Sequence, residues 1–196
     1  MGFYAQKILP YLLDWSLSDP NIAKYRKEIL AEVKGEVLEI GFGTGLNLSY
    51  YPKGLEKLIT IDSNPGVNKL AQKRIQSSSI TVDNRILNSE NLPMADKTFD
   101  SVVSTFTLCS IAKVEQALQE VYRVLKPGGK FFFVEHGLSN EPKIQVWQNR
   151  LTPIQKVIGD GCHLNRNIRQ LLEQQFDTVT LEEFVGESLP KIAGYL

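Results

Sequence analysis

Three glycines at alternate positions, Gly41, Gly43 and Gly45, follow directly on the apolar run Val37-Leu38-Glu39-Ile40 and leave few architectures open to the chain. Glycine at such a junction lets the backbone turn tightly and lie against a ligand with no Cβ in the way. Glu39-Ile40-Gly41-Phe42-Gly43-Thr44-Gly45 therefore reads as a strand end, a ligand-facing turn and the opening of a helix. The dinucleotide fingerprint G-x-G-x-x-G would place a third glycine where this chain has Leu46, so the spacing departs from it.

The same strand-turn-helix rhythm continues downstream. Leu58–Ile61, Ile80–Leu87, Phe99–Thr105 and Lys130–Glu135 read as short buried strands. Ala112–Leu125 has helical periodicity through Val114, Leu118, Val121 and Val124, and Pro127-Gly128-Gly129 is a turn. Such alternation predicts a doubly wound α/β fold, a mostly parallel sheet with helices on both faces. Upstream, Tyr4, Ile8, Tyr11, Leu12 and Trp15 recur at helical spacing, with a restart near Pro10, and Pro20 opens a second helix to about Val33. The tail predicts a helix at Ile144–Ile158, a polar turn at Gly159–Asn165, a helix at Arg166–Gln175, a strand at Thr178–Phe184 and only a short antiparallel strand after Pro190. With 196 residues, 42% of them hydrophobic, the chain suits one domain. We expect a helical lid at 1–33, a cofactor-binding core at 34–136, and acceptor-side helices with the last strand at 137–196.

Charge and composition exclude several classes. Lys plus Arg (22) balances Asp plus Glu (22) with no long block of one sign, so a nucleic-acid partner is not expected. Two cysteines, Cys109 and Cys162, cannot make a disulfide framework, and with His136 and His163 they lack the Cys-x-x-Cys spacing of a structural zinc site, so no metal is expected. A reducing, cytoplasmic setting fits. No stretch is long and apolar enough for a transmembrane helix or signal peptide, leaving at most transient membrane-surface contact.

Glu39 decides what the glycine turn is for. A carboxylate there would repel the pyrophosphate of a dinucleotide, whereas S-adenosylmethionine carries a sulfonium and an ammonium and no phosphate. Asp62, followed by Ser63, ends the second strand, where an acidic side chain can accept hydrogen bonds from both ribose hydroxyls; its other reading is an N-cap for the helix starting near Pro65.

Taken in order, Val37–Asn47, the acidic strand end at Asp62, Ser89-Glu90-Asn91-Leu92-Pro93 with Phe99-Asp100, and Arg123–Gly129 resemble the class I S-adenosylmethionine-dependent methyltransferases, a Rossmann-like family. That resemblance implies that Asn88-Ser89-Glu90 borders the adenine and that Thr105-Phe106 flanks the methionine part. Asn88 stands where the family often has Asp, so an adenine contact there would lack charge. Thr107–Ser110, Val134-Glu135-His136 and Asp160–Asn165 are similar to the branch containing the alkyl thiol methyltransferases, which implies small thiols as acceptors. A quinone or lipid C-, O- or N-methyltransferase, a catalytically silent S-adenosylmethionine-binding protein and an NAD-dependent oxidoreductase are the alternatives.

Methyl transfer is an in-line displacement, so alignment matters more than a catalytic apparatus. His136, at the carboxyl end of a predicted central strand, is the leading base, its other reading being a loop or cap histidine. Glu135 would orient it or form part of the wall, and His163, beside Cys162 in the polar turn, is a further candidate. The N-terminal stripe of Phe3, Tyr4, Tyr11 and Trp15 is read as packing or a lid, a membrane-surface helix being the alternative; its polar face is poor in Lys and Arg.

Overall fold

The computed structural model describes residues 2–186, 190, 192, 193, 195 and 196. Its elements, in order, are α1 (Phe3–Lys7), α2 (Leu9–Leu17), α3 (Pro20–Leu30), β1 (Val37–Ile40), a 3-10 turn (Leu46–Ser49), β2 (Lys57–Asp62), α4 (Asn68–Ser77), β3 (Thr81–Ile86), β4 (Phe99–Thr105), α5 (Val114–Val124), β5 (Leu125–Val134), α6 (Pro142–Ile158) and α7 (Ile168–Gln175). Among the described residues the sheet has five strands in the order β3-β2-β1-β4-β5, and all four pairings are parallel.

Residue alternation along each strand builds two cores. Leu38 and Ile40 of β1, Val102 of β4 and Phe131 and Phe133 of β5 face α5 and α7. Val37, Leu58, Val103 and Phe132 face the other way, toward Leu30, Leu48 and Ala71. A parallel sheet covered on both faces has this near-continuous apolar strand pattern. The strand order reverses between β1 and β4, which opens a crevice at their carboxyl ends.

Four expectations need correction. No α-helix follows the glycine turn: Pro52, which cannot continue a helix, and Gly54 leave room for one 3-10 turn only. The Pro127–Gly129 turn is absorbed into β5, where the ladder skips from Leu125 to Lys130 as a bulge, with Gly128 at φ +79°. Thr178–Phe184 forms no strand, although Val179 and Leu181 pack on the core as a strand's inward residues would. Phe184 is drawn instead to Tyr25 of α3, ring centroids 4.6 Å apart. It exchanges backbone hydrogen bonds with Leu196, and Val185 bridges Tyr195 antiparallel. A cavity of about 560 Å³ separates this run from β5. Finally, Phe3 and Trp15 are 75% and 81% exposed, so the N-terminal aromatic stripe is not core. The short antiparallel strand expected after Pro190 falls partly outside the described residues.

Candidate active site

A cavity of about 540 Å³ sits at the carboxyl ends of β1, β2 and β4, under α2 and the turn that follows α6. Its floor is the glycine turn. Gly41 has φ +67°, and a Cβ there would lie 2.0 Å from Thr107 Oγ1, so only glycine lets this backbone pass the loop after β4. Phe42 N–H donates to Ile61 O (3.0 Å) and Gly43 N–H to Asp62 Oδ2 (2.8 Å), which ties the turn to the end of β2. Asp62 Oδ1 accepts a second backbone bond from Asn64 N (2.7 Å). Burial raises the Asp62 pKa against these two bonds. Four lone-pair sites on an ionised carboxylate leave capacity for two further donors.

Glu39 is fully buried beside the same floor. Its Oε1 accepts from Asn47 Nδ2 (2.8 Å) and its Oε2 from Tyr51 Oη (2.6 Å). Burial pushes its pKa up to about 7, although both hydrogen bonds and the Arg26 charge pull the other way. Arg26 of α3 is itself buried; one terminal N–H group donates to Asn47 Oδ1 (2.6 Å) and Thr105 Oγ1 (2.9 Å), and the guanidinium lies 5.7 Å from the Phe106 ring centre. Its Nε has no partner within the protein. A buried cation with an unsatisfied donor and a buried carboxylate thus line the cavity together.

The opposite rim carries Asn88, Ser89 and Glu90, with Ser63 also lining the cavity. Asn88 Oδ1 accepts from Glu90 N (2.9 Å), and Glu90 Oε1 accepts from Lys113 N (2.9 Å) at the start of α5, so these side chains also shape the loop. Thr105 and Phe106 close the β4 end, Phe106 in the left-handed region at φ +53°. Among the expected cofactor contacts, Gly45 does not line the cavity; at φ +81° it packs against Phe42 and turns the loop.

At the far end of the cavity His136, Cys109 and Cys162 meet. His136 Nε2 lies 3.1 Å from Cys162 Sγ, and one ligand atom of each residue lies within 4.8 Å of the others. All three are buried. His136 loses by burial and gains more from Cys162 and Glu135, so its pKa is raised. The Cys162 thiol is held well above its usual range by Cys109 and by burial.

The other two catalytic candidates lie outside the cavity lining. Glu135 does not line the cavity: its Oε1 takes Ser104 Oγ (3.0 Å), Thr107 N (2.7 Å) and Leu108 N (2.8 Å), fastening the loop that carries Cys109. His163 also lies outside the lining. Its Nδ1 faces Cys109 O (3.2 Å) and Arg166 (3.1 Å), and burial together with the Arg166 charge lowers its pKa.

A family model described as a methyltransferase domain matches residues 38–133. The rat protein named thiol S-methyltransferase TMT1B is 38% identical over 190 residues, covering 88% of this chain and 77% of its own. The chain belongs to the class I S-adenosylmethionine-dependent methyltransferases. It lies near the thiol S-methyltransferase branch. A demethylmenaquinone methyltransferase of Lactiplantibacillus plantarum is 32% identical over 145 residues, 69% of this chain and 61% of that one. Among solved structures, the YcgJ protein of Bacillus subtilis superposes with a TM-score of 0.64 at 20% identity, over 78% of this chain and 68% of that one, which shows the fold.

The methyltransferase is therefore an enzyme, its methyl donor is S-adenosylmethionine, and its acceptor is a small molecule. Family membership sets aside the nicotinamide and silent-binder alternatives. No helix among the described residues is long and apolar enough to cross a membrane. Sequence reasoning missed Arg26, Asn47 and Tyr51, which surround Glu39. A signal existed for Arg26, because Ile22, Arg26 and Leu30 share one buried helical stripe, and a lone arginine on such a stripe needs a polar destination.

Proposed function

We propose that this methyltransferase methylates the sulfur of a small thiol. The observation that carries the proposal is the end of the cavity at His136, where a buried imidazole faces Cys162 beside Cys109. The activity for which the rat relative is named supports it.

The lining fits the methyl donor. Glu39, held by Asn47 and Tyr51, suits an ammonium group, and the unpartnered Arg26 Nε suits a carboxylate. Asp62 has lone pairs left for ribose hydroxyls, with Ser63 beside it. Gly41, Phe42, Gly43 and Thr44 form the floor, Asn88, Ser89 and Glu90 take the base end, and Thr105 and Phe106 the methionine end. S-adenosylmethionine, when bound, supplies a methyl group already activated by its sulfonium.

What remains for the protein is alignment, water exclusion and a proton. A free thiol has an ordinary pKa of about 8.5, so a group that takes its proton raises the reactive fraction at neutral pH. We assign that task to His136, which lines the cavity. Residues 3–17 act as the lid: Leu13, Ser16 and Leu17 of α2 line the cavity, and Asp14 joins Thr44 to Arg74 (2.8 Å) beneath it.

A quinone acceptor is the second reading, favoured by the apolar lining of Leu13, Leu17, Ile111 and Leu164 and by the demethylmenaquinone relative. Incubation with methyl-labelled S-adenosylmethionine and a panel of small alkyl thiols and a demethylmenaquinone analogue decides between them. A labelled thioether from the thiols is expected. Label appearing in the quinone alone would reject the thiol assignment.

A further inference from the structure

We infer that Cys109, His136 and Cys162 form a binding site for one soft divalent cation of the zinc type, with its fourth coordination position open to the cofactor cavity. The three residues come from separate segments: the loop after β4, the residue two beyond the end of β5, and the turn between α6 and α7. Their ligand atoms lie within 4.8 Å of one another, and the His136–Cys162 pair is at 3.1 Å. A tetrahedral zinc ion with two sulfurs and one nitrogen sets those edges at roughly 3.5 to 3.8 Å, so small adjustments close the site. Two thiolates and an imidazole select zinc over calcium or magnesium, which take oxygen ligands.

Two further observations point the same way. The shell around the trio is already fixed: Glu135 takes the backbone N–H groups of Thr107 and Leu108 beside Cys109. His163 N donates to Cys109 O (2.9 Å), fastening the Cys162 turn to the Cys109 loop, and Arg166 donates to Leu108 O and Ile111 O. All three residues line the cavity itself, so a ligand of the ion would face the cofactor. Three protein ligands with one open position is the arrangement of catalytic rather than structural zinc.

The acceptor assignment for that position rests on the thiol reading above. A thiol taking the fourth position displaces a water, gives its proton to solvent and stays as a metal-bound thiolate, which removes the need for His136 as a base. The cation site itself does not depend on that reading.

Cobalt(II) titration of the purified, reduced full chain, stripped of metal by a chelator, tests the site without using activity. One equivalent should produce thiolate-to-cobalt charge-transfer absorption and the visible bands of tetrahedral cobalt, and zinc should displace both. Cys109→Ser and Cys162→Ser should each weaken binding by about a hundredfold or more, since even outer-shell changes cost ten- to a hundredfold. S-adenosylhomocysteine binding by each variant confirms that it has folded. A small alkyl thiol should intensify the charge-transfer band. No such band in protein that binds S-adenosylhomocysteine, a band unchanged by Cys162→Ser, or a Cys109–Cys162 disulfide in chain kept under reductant would each overturn the inference. Cobalt binding without thiol methylation would uphold the site and reject the thiol acceptor.

Discussion

Glu39 is where burial and chemistry oppose each other most directly. An ordinary glutamate ionises near pH 4.5, and here burial lifts that to about 7. Between those values the folded chain holds a proton that the unfolded chain has released, so this group's contribution to the stability of the ligand-free protein falls as pH rises through the window. A bound ammonium needs the ionised form, and affinity for S-adenosylmethionine should therefore rise with pH up to about 7. Calorimetric titration at pH 6 should give a dissociation constant about tenfold above that at pH 8, and Glu39→Gln should bind weakly at both. A flat profile in the wild-type protein would remove Glu39 from the ammonium site. Gly41 offers a steric counterpart. Alanine there meets Thr107 and must hold φ +67°, so Gly41→Ala should cost at least about 2 kcal/mol and lower Tm by about 4 to 8 °C in a thermal melt. Both residues were legible in the sequence, because a carboxylate and a φ-free backbone position advertise themselves by residue type. Arg26 and the His136–Cys162 contact were not, since their partners lie 79 and 26 residues away and only the sheet brings them together.

At the scale of elements, β1 and β4 were readable because they are buried and spell themselves out as apolar runs, whereas β3, expected to be buried, has no buried residue and is mostly polar, as an edge strand can be. Phe99–Thr105 has the bounds expected of it. Where tertiary partners decide, local pattern failed: Thr178–Phe184 alternates like a strand, yet its end is claimed by Tyr25 and by Leu196. The expectation of no metal rested on spacing within one segment, whereas Cys109, His136 and Cys162 gather from three. The proposed lid is tied down by one side chain that the sequence did not single out. Asn64 Nδ2 donates to Ala5 O (3.0 Å) in α1 and to Asp160 Oδ2 (3.1 Å) in the turn after α6, joining both covers of the cavity. Asn64→Ala removes both links, and at about 1 kcal/mol net the release of S-adenosylhomocysteine should quicken about fivefold in stopped-flow displacement. An unchanged release rate would mean that these covers do not gate the site.

For the whole molecule, strand order and cavity belong together: a parallel sheet whose order reverses between β1 and β4 leaves a crevice, and the glycine turn, Asp62 and Thr105 converge on it. The N-terminal helices lie over this crevice with their aromatic stripe outward, which local amphipathicity could not reveal because it shows a stripe but not what the stripe faces. Trp15→Ser should accordingly leave thermal stability within about 0.5 kcal/mol of wild type, whereas a buried tryptophan would cost several times that. The central claim is that this crevice holds the methyl donor. Isothermal titration of S-adenosylhomocysteine into wild type and Asp62→Ala, with a thermal melt of each, tests it most directly. Saturable one-to-one binding is expected, weakened about tenfold to a hundredfold by the substitution, with the variant still melting cooperatively. Equal affinity in the two proteins, or no binding to the wild type, would contradict it.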